Sequence, residues 1–150
     1  MGEQERVPRR DADTPPRGGA DSRRPRIVTA AVISRDGKYL IAKRKGGGDL
    51  SGKWEFPGGK VEPGETEEHG LIRELAEELD VTAAVGEFIC RTCFIHDGID
   101  FELHAYRVTL TGGEPVAREH AQLRWVRPEE FGGYDFAESD RAIVAALREG

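Results

Sequence analysis

The chain has 150 residues, 37% of them hydrophobic and 33% charged, with a net charge of −6, which is enough for one domain with a sizeable core and too little for two. Its longest uncharged apolar stretch is the seven residues 27–33, too short to span a bilayer, and the acidic balance excludes broad electrostatic binding to a nucleic acid polymer or an anionic membrane. With two cysteines and no apolar run after the N-terminal charges, neither a disulfide framework nor a secretory signal is expected, and a cytoplasmic setting is.

Residues 1–26 hold seven Arg against five Asp or Glu, a net of +2 that leaves −8 on the remainder. Met1 and Val7 are the large apolar side chains of that segment, too few to offset its ordering entropy. Residues 1–25 are therefore expected to form a disordered tail and residues 26–150 the folded domain. The acids Glu3, Glu5, Asp11, Asp13 and Asp21 speak against an organelle transit peptide.

The apolar run 27–34, the turn at Asp36-Gly37 and the return 39–44 predict a β-hairpin. Residues 45–53 read as a polar, glycine-heavy loop, Trp54-Glu55-Phe56 as a short strand, and Pro57-Gly58-Gly59-Lys60 as a loop. Thr66 suits a helix N-cap, Glu67 and Glu68 suit the positive end of the helix dipole, and Leu71, Leu75 and Leu79 recur at the helical interval. Strands are expected over 81–94, 101–110 and 123–126, with a turn at His96-Asp97-Gly98, and a closing helix over 139–148. Strands interleaved with helices give an α/β (α+β) class.

The chemistry gathers on the first helix, where Glu74, Glu77 and Glu78 fall within roughly a 100° arc beside the leucine stripe. A solvated acidic face would look the same, because like charges at these spacings cost a surface helix only a few tenths of a kcal/mol per pair, roughly. The preceding loop favours a site: Gly58 and Gly59 allow close backbone approach, and Lys60 supplies a cation. Clustered hard oxygens suit Mg²⁺ or Mn²⁺, completed by phosphates and water.

The pattern Gly59-x5-Glu65-x7-Arg73-Glu74-Leu75-x-Glu77-Glu78-x-Asp80-Val81 resembles the signature box of the Nudix hydrolases, matching eight of its nine specified positions. The departure is Asp80, where the family usually has glycine in a left-handed conformation that Asp tolerates. The stretch 52–62 is similar to the MutT-like branch, which implies an α/β/α sandwich around a mixed sheet and hydrolysis of a nucleoside triphosphate to a monophosphate and pyrophosphate. Carried over by position, Glu74, Glu77, Glu78 and the Gly58 carbonyl would hold the metal. Gly59 and Glu65 would serve the framework, Glu65 either orienting helix and loop or lying in an outer metal shell, and Arg73 would pair with a box carboxylate. Glu119 is a candidate for a further metal ligand or the water-activating base, against the reading of one exposed loop acid. The base is left between Glu74 and Glu119. Arg44 and Lys60 are candidate phosphate partners, each with the alternative of an ordinary surface cation.

For the base, the segment 136–144 resembles the base-reading region of this branch. There an ionised Asp140 would accept from an amino group such as cytosine N4, although it could instead cap the last helix. Phe56 would pack against the base or belong to the core. The resemblance thus implies CTP or a modified dCTP as substrate, with 8-oxo-dGTP as the alternative and a non-catalytic nucleotide-binding module as the reading from another class. His96, Asp97 and Gly98 stand where ADP-ribose-hydrolysing relatives tend to carry proline. Gly47-x4-Gly52-Lys53 half-matches a P-loop but lacks its Ser or Thr. Cys90 and Cys93 fall on opposite faces of a strand and read as buried or half-buried thiols. The four histidines have no metal-ligand spacing, and Trp125 reads as core.

Overall fold

The computed structural model describes residues 24–46 and 51–149. The tail assigned to residues 1–25 lies outside them except for its last two positions, as does Gly47 of the P-loop half-match. The elements are β1 (Arg26–Arg35), β2 (Lys38–Lys43), β3 (Trp54–Glu55), β4 (Gly58–Lys60), α1 (Glu67–Leu79), β5 (Thr82–His96), β6 (Ile99–Gly112), β7 (Gln122–Val126) and α2 (Arg141–Glu149), with 3₁₀ turns at Pro128–Gly133 and Glu138–Asp140.

β1 organises the mixed sheet. It runs parallel to β6 from Arg26↔Phe101 to Ile33↔Val108 and antiparallel to β4 over Val28–Ala30. At its far end it turns into β2 through Asp36-Gly37, both at positive φ (54° and 79°), the geometry of a two-residue hairpin. β2 then pairs with β3 and β7, and β5 completes the order β3-β2-β1-β6-β5. The second hairpin turns on Asp97-Gly98 alone (φ 52° and 76°), which lets β5 run to His96 and β6 start at Ile99, longer than the sequence predicts.

Alternation along β1 feeds two cores. Ala31 and Ile33 meet Leu71, Leu75 and Leu79 of α1, while Ala30 and Val32 meet Ile143 and Leu147 of α2 together with Phe56, Phe131 and Phe136. The result is the expected α/β/α sandwich. α1 begins where Thr66 Oγ1 accepts from the His69 N–H (3.0 Å) and ends at Asp80, held left-handed (φ 61°, ψ 42°) with its N–H on the Ala76 carbonyl. Glu67 in the first turn accepts from the Tyr106 hydroxyl and sits 2.7 Å from His104 Nδ1, tying the helix start to β6.

Two expectations need correction. Residues 58–60 are a strand rather than part of a loop, because glycines without Cβ atoms let this segment close against β1: a Cβ on Gly58 would lie 2.0 Å from the Thr29 carbonyl oxygen. The closing helix starts at Arg141 and not at 139, since the chain first makes a 3₁₀ turn that buries Asp140.

Candidate active site

The leucine stripe seats α1 on the sheet and thereby fixes where its polar residues go. Arg73 is the hub. Its Nε and Nη2 make two bonds to Glu65 (2.6 and 3.0 Å), Nη2 also donates to the Lys60 carbonyl (3.1 Å), and Nη1 donates to Glu74 (3.1 Å) and Glu77 (3.3 Å). One guanidinium thus joins β4, the loop before the helix and two box carboxylates. The hydrogen bond from Arg73 holds the Glu65 carboxyl below the usual range, and Glu65 raises the Arg73 pKa in return.

The three helix carboxylates are not equivalent, although the wheel places them on one arc. Glu77 has a side chain 54% exposed, Glu74 is half-buried, and Glu78 is only 7% exposed. Glu78 Oε1 has no hydrogen-bond partner, while the carboxyl as a whole lies against Glu74. Burial first, then the contact with Glu74 and the charges of Glu74, Glu55 and Glu119, push the Glu78 pKa up to about 10. A buried, unpartnered carboxylate oxygen among like charges calls for a cation.

Gly59 fits against this cluster with nothing to spare. A Cβ there would come 2.4 Å from Glu74 Cδ and 2.7 Å from both of its oxygens. Because the obstacle is the far end of one side chain, Gly59→Ala is expected to melt within a few degrees of the wild type while pushing the Glu74 carboxylate aside. Its kcat should fall about a hundredfold, measured by pyrophosphate release alongside a thermal melt.

Glu119 arrives by a different route. The chain after β6 is attached to the C-terminal end of α1 by the Val116 N–H on the Leu79 carbonyl (2.9 Å) and the Arg118 N–H on the Glu78 carbonyl (3.1 Å), bonds that also satisfy carbonyls left open at the helix end. Glu119 follows directly and lines the same cavity as Gly58, Gly59 and Glu78.

That cavity, about 560 Å³, is of ligand-binding size. Arg44, Lys45 and Lys60 contribute cations to its lining, and Val28, Phe94, Phe101 and Leu103 an apolar wall. Arg44 is committed to Glu55 (2.8 Å), and Lys60 stands with Nζ 5.7 Å from the Phe101 ring centre. Phe56 borders the cavity, but its ring belongs to the core, stacked on Phe136 (5.6 Å, 13°) and edge-on to Phe131. Its backbone N–H donates to Asp140 Oδ2 (2.8 Å).

Asp140 is 3% exposed. Its oxygens accept from the Phe56 N–H and the Ser139 hydroxyl (2.9 Å), so the side chain reaches across to β3 and the strand-to-loop junction and does not cap α2. Burial, and after it the charge of Glu55, raise its pKa from 3.8 to about 7.

Sequence reasoning missed Glu55 and His120. Glu55 lines the cavity with its Oε1 on Arg44 and its Oε2 2.9 Å from His120 Nε2; the signal was a lone acid inside an aromatic strand. Cys90 is half-buried as expected, but Cys93 is exposed, and both are free. Trp125 is half-buried beneath the Arg35 guanidinium at 4.2 Å.

Among the described residues, no three His, Cys, Asp or Glu side chains form a ready-made metal shell. Arg73 holds Glu74 and Glu77 to itself, while Glu78 keeps an open oxygen. The donor set of carboxylates and a backbone carbonyl is nonetheless what a hard divalent cation takes.

Helix, glycine strand and cavity together bring clustered carboxylates and cations to one site. Residues 23–147 match the NUDIX domain family, and the chain belongs to that family and is an enzyme acting on phosphoric anhydrides. It is similar to a CTP pyrophosphohydrolase of Escherichia coli, 44% identical over 120 residues that cover 80% of this chain and 89% of that protein. A putative 8-oxo-dGTP diphosphatase 2 of Mycobacterium tuberculosis is also 44% identical, over 124 residues covering 81% of this chain and 86% of its own length. Among solved structures, the E. coli ORF135 protein superposes with a TM-score of 0.76 at 39% identity, covering 90% of this chain and 94% of the other. No helix among the described residues is long and apolar enough to cross a membrane.

Proposed function

We propose that this chain is a divalent-metal-dependent nucleoside triphosphate pyrophosphohydrolase, converting a (d)NTP to a (d)NMP and pyrophosphate in the cytoplasm, with a cytidine nucleotide as preferred substrate. The observation that carries the reading is Glu78, buried against Glu74 with its Oε1 unpartnered, on a cavity that Glu119 and three cations also line. Glu74, Glu77, Glu78, Glu119 and the Gly58 carbonyl would hold Mg²⁺ or Mn²⁺. When bound, the ion would neutralise the phosphate chain and lower the pKa of a water.

The chain's own residues supply the rest. Arg44 and Lys60 bind and orient the polyphosphate, Arg73 keeps Glu74 and Glu65 in register with β4, and Glu74 or Glu119 takes the proton of the attacking water. At the base, ionised Asp140 accepts from an amino group, which suits cytosine N4. A pKa near 7 also populates the protonated form, which donates, so an oxopurine such as 8-oxo-guanine is the second reading.

The test is pyrophosphate release from CTP, dCTP, 5-methyl-dCTP, 8-oxo-dGTP, dATP and ADP-ribose, with Mg²⁺ and with a chelator. Metal-dependent release, with the highest kcat/KM on a cytidine nucleotide, is expected. A preference for 8-oxo-dGTP would keep the chemistry and reverse the base assignment, and no turnover of any triphosphate would leave a nucleotide-binding module.

A further inference from the structure

We propose that Glu55 and His120 form a positioning pair, a brace that holds the Glu119 loop and Arg44 to the two oxygens of one carboxylate; the inference rests on the hydrolase reading above. Glu55 stands on the two-residue strand β3, where pairing with Ala42 and Lys43 of β2 fixes its backbone. Its Oε1 accepts from Arg44 Nη1 at 2.8 Å and its Oε2 lies 2.9 Å from His120 Nε2. As a hydrogen bond to a carboxylate oxygen, this contact has His120 Nε2–H as its donor, and the buried Nδ1 has no partner.

The loop explains why such a brace matters. Val116 and Arg118 bond the end of α1, Ala121 bonds the Lys43 carbonyl (2.9 Å), and Glu119 and His120 lie between those anchors. Among the described residues, the contact of His120 with Glu55 is the side-chain hydrogen bond of residues 116–121. His120 is 7% exposed, so its ring is held in place while Glu119, one residue earlier, stays exposed on the cavity. The same carboxylate restrains Arg44, so the group proposed for the phosphates and the group proposed for the metal or the water keep a fixed relation across the site.

The test uses the full-length protein with His120→Leu, which fills the space without a donor, and His120→Gln, which restores one. Three quantities are read: amide hydrogen exchange of residues 118–121 without metal, Mn²⁺ affinity without nucleotide, and kcat and KM with the best triphosphate. His120→Leu is expected to speed exchange at least tenfold, weaken Mn²⁺ ten- to a hundredfold, and lower kcat by a similar factor with KM nearly unchanged, while His120→Gln recovers most of each. In a Glu119→Gln background, His120→Leu should add nothing to the loss of Mn²⁺ affinity, because the brace acts through Glu119. Wild-type exchange and Mn²⁺ affinity in His120→Leu, or additive losses in the double variant, would overturn the proposal. If His120→Leu does not fold, the wild-type His120 Nε2–H decides by NMR: a downfield, slowly exchanging proton supports the brace, and a freely exchanging one sinks it. A wild type that releases no pyrophosphate would remove the hydrolase reading, while exchange and Mn²⁺ binding still judge the brace.

Discussion

Glu78→Gln is expected to lower kcat about a thousandfold at saturating Mg²⁺ while making the metal-free protein more stable. The substitution keeps the shape of the side chain and removes its charge. Charge stabilisation by a bound metal is worth several kcal/mol, and at about 1.4 kcal/mol per decade this amounts to roughly a factor of a thousand. The gain in stability follows from linkage. Burial raises the Glu78 pKa from 4.5 to about 10, so between those values the folded chain holds a proton that the unfolded chain has released. Stability therefore falls as pH rises through that window, and the glutamine, which does not titrate, is free of the penalty. Thermal melts at pH 6, 8 and 9.5 without metal should show the variant melting above the wild type by a margin that grows with pH. Adding Mg²⁺ should raise the wild type and leave the variant where it was. A variant with unchanged turnover would show that Glu78 holds no part of the metal.

What the sequence makes legible here is what lies close together along the chain. The hairpin at Asp36-Gly37, the Thr66 cap and the left-handed Asp80 each follow from a few adjacent residues. The spacing of Arg73, Glu74, Glu77 and Glu78 likewise places them on adjacent turns of one helix. Periodicity cannot rank those carboxylates by burial, because the difference between exposed Glu77 and buried Glu78 comes from the sheet beneath α1 and the loop that closes over its end. Nor does it show that Gly58–Lys60 is a strand, since its partner on β1 lies some 30 residues away and glycine has no strand preference of its own. Glu55 and His120 are 65 positions apart, and the pairings of β2 with β3 and β7 bring them together. Each residue alone looked ordinary: an acid in an aromatic strand and a histidine without ligand spacing. The ring of Phe56 was open between base and core until Phe131 and Phe136, brought in by the C-terminal segment, enclosed it.

Asp140→Asn is expected to abolish the pH dependence of base choice. Between the two substrate classes the metal, the phosphates and the attacking water are shared, so the ratio of kcat/KM for dCTP to that for 8-oxo-dGTP at one pH cancels their titrations and keeps the base contact. With an Asp140 pKa of about 7, the wild type moves from a donor-capable carboxyl at pH 6 to an acceptor-only carboxylate at pH 8.5. The ratio should rise across that interval by about tenfold, the worth of one hydrogen bond gained with one substrate and lost with the other. Asparagine keeps an oxygen for the Phe56 N–H and an amide N–H₂ that donates at every pH, so its ratio should be flat and shifted toward 8-oxo-dGTP. Stability gives a second reading of the same group. Its pKa is raised from 3.8 by burial and then by Glu55, so the native state holds the extra proton between about 4 and 7, and wild-type stability declines as pH rises through that range. The asparagine variant lacks this contribution to the decline, keeps the one from Glu78, and should be the more stable protein at pH 8, by an amount on the order of a few kcal/mol in denaturant melts. A flat stability difference with a pH-dependent ratio would move the titrating group elsewhere in the cavity, and a flat wild-type ratio would separate Asp140 from base reading altogether.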